Sequence, residues 1–197
     1  MIRRTGLTIA LLLTLAPAVR AGEFWKPFIA GAASGFAIHE GSHFVLDIAF
    51  DAKPRLKGVS FGPIPFFAVT HRSGLPSHEE AFISGAGFLS QQITSEIVLT
   101  RRAPDQEISP FEKGLLAFHV ATSVAYAGAA FARYGPYERD TRGIADATHT
   151  DERMIGALVL APAVFDAWRY KRPNSKVAIW GSRISKAAYF AVIAFKD

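Results

Sequence analysis

Apolar residues in this chain gather into long runs bounded by charge, proline or glycine, and the spacing of those runs predicts helices. The first follows Arg3 and Arg4, extends from about Leu7 to Leu15, and gives way to Pro17 and small residues ending at Val19, Arg20 and Ala21. That order is the pattern of a secretory signal peptide, with cleavage expected after Ala21. Four further runs approach the length of about 20 residues that a bilayer-crossing helix requires. They cover Pro27–Phe50, Ala81–Thr100, Phe111–Ala132 and Met154–Tyr170. A last run, Val177–Phe195, carries Arg183 and Lys186 near its middle and aromatics at Trp180, Tyr189 and Phe190, so either crossing the membrane or lying along its interface fits it. Between the first two predicted membrane helices, short apolar runs alternate with Gly and Pro over residues 54–78, which predicts a small hairpin or re-entrant loop.

Composition narrows this picture. With 197 residues, 50% of them apolar, the chain has room for one domain with a substantial core, placed at residues 22–197. The absence of cysteine excludes disulfide frameworks, thiolate metal sites and cysteine nucleophiles, so any metal must sit on His, Asp or Glu. The balance of 22 Lys and Arg against 17 Asp and Glu is not concentrated on one element. Basic residues instead flank apolar runs, as Lys53, Arg55 and Lys57, as Arg101 and Arg102, and as Arg169, Lys171 and Arg172. Such placement suits lipid headgroups, and no nucleic-acid partner is expected. Mean hydropathy of +0.18 is modest and keeps a soluble helical protein as the competing architecture. Several runs of membrane length argue against it, because helices of a small soluble domain must mostly show a polar face. The expected fold is therefore an all-α membrane protein with four to five membrane helices after a signal peptide. It would be a multi-pass protein of an inner or plasma membrane.

Candidate chemistry centres on His39, Glu40, Gly41, Ser42 and His43, an H-E-x-x-H sequence. On a helix, positions i and i+4 lie one above the other, so both imidazoles reach one ion. Glu40, beside the first ligand, is then placed to act as a general base on a metal-activated water. Two imidazoles and a carboxylate inside an apolar helix are costly in lipid unless they face one another, a cavity or a metal. A third protein ligand is required, and three candidates stand open. Asp166 lies in an apolar run four residues after Pro162, which kinks its helix; Glu96 lies near Arg101 and Arg102, which would neutralise it; His119 reads as a hydrogen-bonded packing histidine. Asp47, one turn beyond His43, is placed to orient that imidazole or to approach the interface. Gly31 and Gly35 read as helix packing. His71 and His78 read as solvated loop residues, and the polar stretch 133–153, with Asp140, Asp146, His149 and Asp151, reads as a solvated loop.

Taken together, these features resemble the site-2 protease family of membrane-embedded zinc metallopeptidases, whose H-E-x-x-H helix is followed by a glycine-containing hairpin, a small-residue helix start and a distant third ligand in a Pro-x-x-x-Asp setting. The matching stretches are VSFGPIPFFAV, ISGAGFLSQ at Ile83–Gln91, and LAPAVFDAW around Pro162 and Asp166. The resemblance implies Zn2+ held by His39, His43 and Asp166, Glu40 as catalytic base, and Gln91 or Gln92 holding an unwound, membrane-associated peptide substrate. A hairpin edge would add a strand to that substrate. The alternative is a non-catalytic multi-spanning membrane scaffold or adaptor whose His/Glu cluster serves packing.

Overall fold

A computed structural model describes residues 21–61, 63–102 and 106–195. The expected signal peptide, residues 1–21, lies outside the described residues except for Ala21. Helix α1 spans Ala21–Ala49, strands β1 and β2 span Arg55–Phe61 and Ile64–Thr70, and helices α2 to α6 span Ser77–Arg101, Pro110–Ala132, Asp140–Ala147, Glu152–Lys171 and Lys176–Phe195. The molecule is thus all-α but for one hairpin, and the predicted helices and the predicted hairpin are all present. β1 and β2 pair antiparallel from Arg55 opposite Thr70 to Phe61 opposite Ile64, leaving one free edge on each strand.

Local sequence explains where these elements begin and end. Ser109 caps α3 and closes a capping box with Glu112, with Pro110 in the first turn, and Arg133 ends the helix in the left-handed region at φ 50°. Asp151 caps α5 by accepting from the Arg153 amide. Asp51 and Lys53, at φ 50° and 60°, break α1 and turn the chain into β1. Gly31 and Gly114 let α1 and α3 touch backbone to backbone: a Cβ at Gly31 would collide with the Phe111 carbonyl, and one at Gly114 with the Phe28 carbonyl. Helix α3 also packs on α5, α5 on α6, and α1 on α2, with the short α4 lodged against α2. Phe88, Ile144, Ile155, Val159, Tyr189 and Ile193 form the main apolar cluster where α2, α4, α5 and α6 meet.

Two expectations need correction. Among the described residues only α3 is long and apolar enough to cross a membrane by length and composition, where four to five such helices were expected. The other long helices carry polar groups that spoil their apolar runs: His39, Glu40 and His43 in α1, Glu96 in α2, Asp166 and Arg169 in α5, Arg183 and Lys186 in α6. Most of these groups meet one another inside the bundle. Glu96 takes Arg169 at 2.6 Å, Arg183 at 2.9 Å and Lys186 at 3.1 Å, and not Arg101 or Arg102. The second correction concerns the stretch 133–153, which is no solvated loop. Its α4 buries Thr141, Ile144, Ala145 and Ala147, because Asp-Thr-Arg-Gly-Ile-Ala-Asp-Ala puts its apolar residues on one helical face.

Candidate metal centre

His39 and His43 lie on one face of α1, as the four-residue spacing requires. Asp140, the first residue of α4, comes to them from 101 positions away. Its Oδ2 stands 3.1 Å from His39 Nε2 and 3.4 Å from His43 Nε2, and the two Nε2 atoms are 3.5 Å apart. Metal bonds of about 2.0–2.1 Å at tetrahedral angles place ligand atoms about 3.3–3.4 Å from each other. The three donor atoms therefore stand at spacings that one tetrahedral metal ion could bridge.

Surrounding groups fix that arrangement. His43 Nδ1 donates to the Ile83 carbonyl at 2.7 Å, and because a carbonyl only accepts, a neutral His43 ring keeps its proton on Nδ1 and turns Nε2, the possible ligand atom, towards Asp140 and His39. The Ser42 hydroxyl donates to the His39 carbonyl at 2.6 Å. The His39 ring is boxed by Phe88 at 5.5 Å and by Phe118 and Tyr126 at 6.2 Å each, measured between ring centroids. It also lies over Gly87, where any Cβ would collide with it. That contact is the physical use of the small-residue start of α2.

Two cavities meet at the cluster, and His43 and Asp140 line both. One, of about 240 Å³, is mostly apolar and also contains Glu40, Val59, residues 66–69 of β2, Ala125, Tyr126 and Ala129. The other, of about 590 Å³, is more polar and is bordered by Lys57, His71, Glu80, Tyr137 and Asp146. Salt bridges from both strands hold the open end of the hairpin beside the cluster. Lys57 on β1 reaches Glu138 at 2.5 Å and holds that carboxyl below its ordinary value. After β2, His71 lies 3.3 Å from the fully buried Asp47 and 2.8 Å from Glu80, and pairing with these carboxylates raises its pKa to about 9. In addition, Phe36 of α1 meets Phe66 and Phe67 edge to face, each at 6.0 Å.

Asp166 is not part of the centre, and this corrects the ligand set implied by the family resemblance. Its Oδ2 accepts from Ser95 at 2.6 Å and stands 3.3 Å from His119, while its Oδ1 accepts from Ser182 at 2.6 Å and from Lys186 at 3.0 Å. An isolated acid in an apolar helix needs a partner, and this one has found a cation and two hydroxyls instead of a metal. His119 is its packing partner. Gln91 and Gln92, expected to grip substrate, are buried at 3% exposure each and line neither cavity. Asp47 orients His71 and not His43, and His71 is bound where solvation was expected. The residue that sequence reasoning missed is Asp140. The signal available for it was the amphipathic run that begins with it, just after Gly135 and Pro136. Among the described residues, His39, His43 and Asp140 are the group whose donor atoms converge closely enough to hold a metal ion. Comparison with protein-family models, with curated proteins and with solved structures found no match.

Proposed function

We propose that this chain is a membrane-embedded zinc peptidase of site-2 protease type, cutting a peptide bond in a membrane-associated substrate. The observation that carries the reading is the donor triangle of 3.1, 3.4 and 3.5 Å between His39, His43 and Asp140, with the His43 tautomer set by Ile83. His39, His43 and Asp140 would hold the ion. Bound zinc supplies a polarised scissile carbonyl and a water whose pKa falls towards neutrality. Glu40 follows His39 directly and lines the apolar cavity shared with His43 and Asp140. Its carboxylate takes the proton from the attacking water and delivers it to the departing amine. The free edge of the hairpin pairs with an extended substrate backbone, which requires the substrate helix to unwind first. Membrane embedding is supported by the large apolar side chains left exposed on the long helices, among them Ile29, Val45 and Ile48 on α1 and Val177, Trp180 and Ile184 on α6.

The test is metal content and turnover on the same purified protein. We expect one zinc per chain in the wild type and in Glu40→Gln, with peptide cleavage lost only in the latter, by at least about a hundredfold, as general-base removal implies. Asp140→Ala is expected to lose both zinc and activity. A well-folded wild type that takes up no zinc points to the scaffold reading, and a fully active Glu40→Gln removes the assigned base.

A further inference from the structure

Resting on the peptidase reading above, the geometry points to the 240 Å³ cavity as a specificity pocket for one bulky apolar side chain of the substrate, on a residue flanking the scissile bond. Position is the first reason. Glu40, His43 and Asp140 form part of the cavity wall, so an occupant sits directly beside the groups assigned to the chemistry. Residues 66–69 of β2 line the same cavity. A peptide paired with a strand edge sends alternate side chains to one side, and a single pocket beside the cut then reads a single residue.

Charge is the second reason. The cavity has two further ionised residues, and both are already neutralised. Glu138 is taken by Lys57 at 2.5 Å, and Arg139 makes a two-pronged pair with Glu152, each bond at 2.6 Å. Neither is free to receive a charged side chain, and Glu40 and Asp140 are committed to the base and the ion, so Asp, Glu, Lys and Arg would enter without a free partner and are rejected. Size is the third. Ligand sites for whole small molecules run from roughly 300 to 1,000 Å³. This cavity falls below that range, which favours one aromatic or branched aliphatic group over a folded acyl chain.

Two wall positions allow opposite tests. Ala125 is exposed and sits on the α3 wall, so Ala125→Phe fills the pocket without touching the core. Phe67 is 37% exposed and Phe66 keeps its own contact with Phe36, so Phe67→Ala widens the pocket while the hairpin stays tied to α1. The experiment gives a randomised peptide library to the zinc-loaded full chain in detergent micelles and maps the cuts by mass spectrometry. Matched peptides differing at the selected position are then compared by kcat/KM, with zinc content measured in every variant. Phe, Leu or Met next to the cut is expected to be favoured over Ala, Asp or Lys by about tenfold or more, the discrimination that a difference of a few methylenes gives in an apolar pocket. Ala125→Phe should move the preference towards Ala by a similar factor, and Phe67→Ala should move it towards Trp, both with full zinc. Cuts without side-chain preference, or the wild-type preference retained in both variants, overturn the pocket while leaving the peptidase intact. A zinc-replete chain that cuts no peptide overturns the peptidase reading itself. Hydrolysis of an N-acyl lipid, with chain length reset by Ala125→Phe, reassigns the cavity to an acyl chain and also overturns the inference.

Discussion

Four polar side chains surround the Asp166 carboxylate, two of them hydroxyls donating at 2.6 Å and one the Lys186 ammonium at 3.0 Å. With the acid only 2% exposed, its removal leaves buried donors unanswered and takes one partner from a cation that is itself largely buried. Asp166→Ala should therefore cost about 3 kcal/mol, the lower end for a broken buried pair because Lys186 keeps Glu96. Denaturant unfolding checks the loss, and zinc content should stay at the wild-type level, in contrast to Asp140→Ala. Residues such as these set the limit on what sequence conveys. The His39 and His43 pair was readable because helix periodicity alone brings the rings together. Asp140 was not, since nothing local marks which of several remote acids the tertiary fold delivers. Asp166 looked the better choice because an acid in an apolar run announces a need for a partner without saying which one.

At the level of elements, the hairpin depends on its two charged ties. His71 gains its proton affinity mainly from Asp47 and then from Glu80, against the cost of burial, and its pKa stands at about 9 in the fold against an ordinary 6.5. Between those values the folded chain holds a proton that the unfolded chain has released. Stability from this contact is thus complete below pH 6.5, falls as pH rises, and is gone above about 9. Urea unfolding at several pH values between 6 and 10 should show that decline in the wild type and a flatter profile in His71→Gln. The long helices followed from apolar runs, and the hairpin from short apolar runs alternating with Gly and Pro. The eight-residue α4 escaped because a short amphipathic segment rich in Asp and Arg has the composition of a loop. Packing on α2 and on the apolar cluster with α5 and α6 gives its apolar face a purpose.

For the molecule as a whole, the question is what covers the exposed apolar side chains. Polar groups such as Asp166, Ser182 and Lys186 meet inside the bundle, while Val164, Trp168, Val177 and Ile184 face outward on α5 and α6. Window hydropathy averages both faces, so a helix with a polar interior face and an apolar outer one scores below a simple span. If lipid covers the outer faces, the chain should stay with membranes through washes in alkaline carbonate and in 1 M salt, and dissolve only in detergent. Extraction by carbonate alone would place it outside the bilayer. The separation of Asp140 from His39 by 101 positions has a consequence for biosynthesis. At ribosomal speeds of about 5–20 residues per second, the two imidazoles leave the ribosome roughly 5–20 s before their carboxylate does. On the proposed ligand set, a nascent chain stalled ahead of α4 would offer metal only two ligands, and zinc loading would fall in the last stages of synthesis.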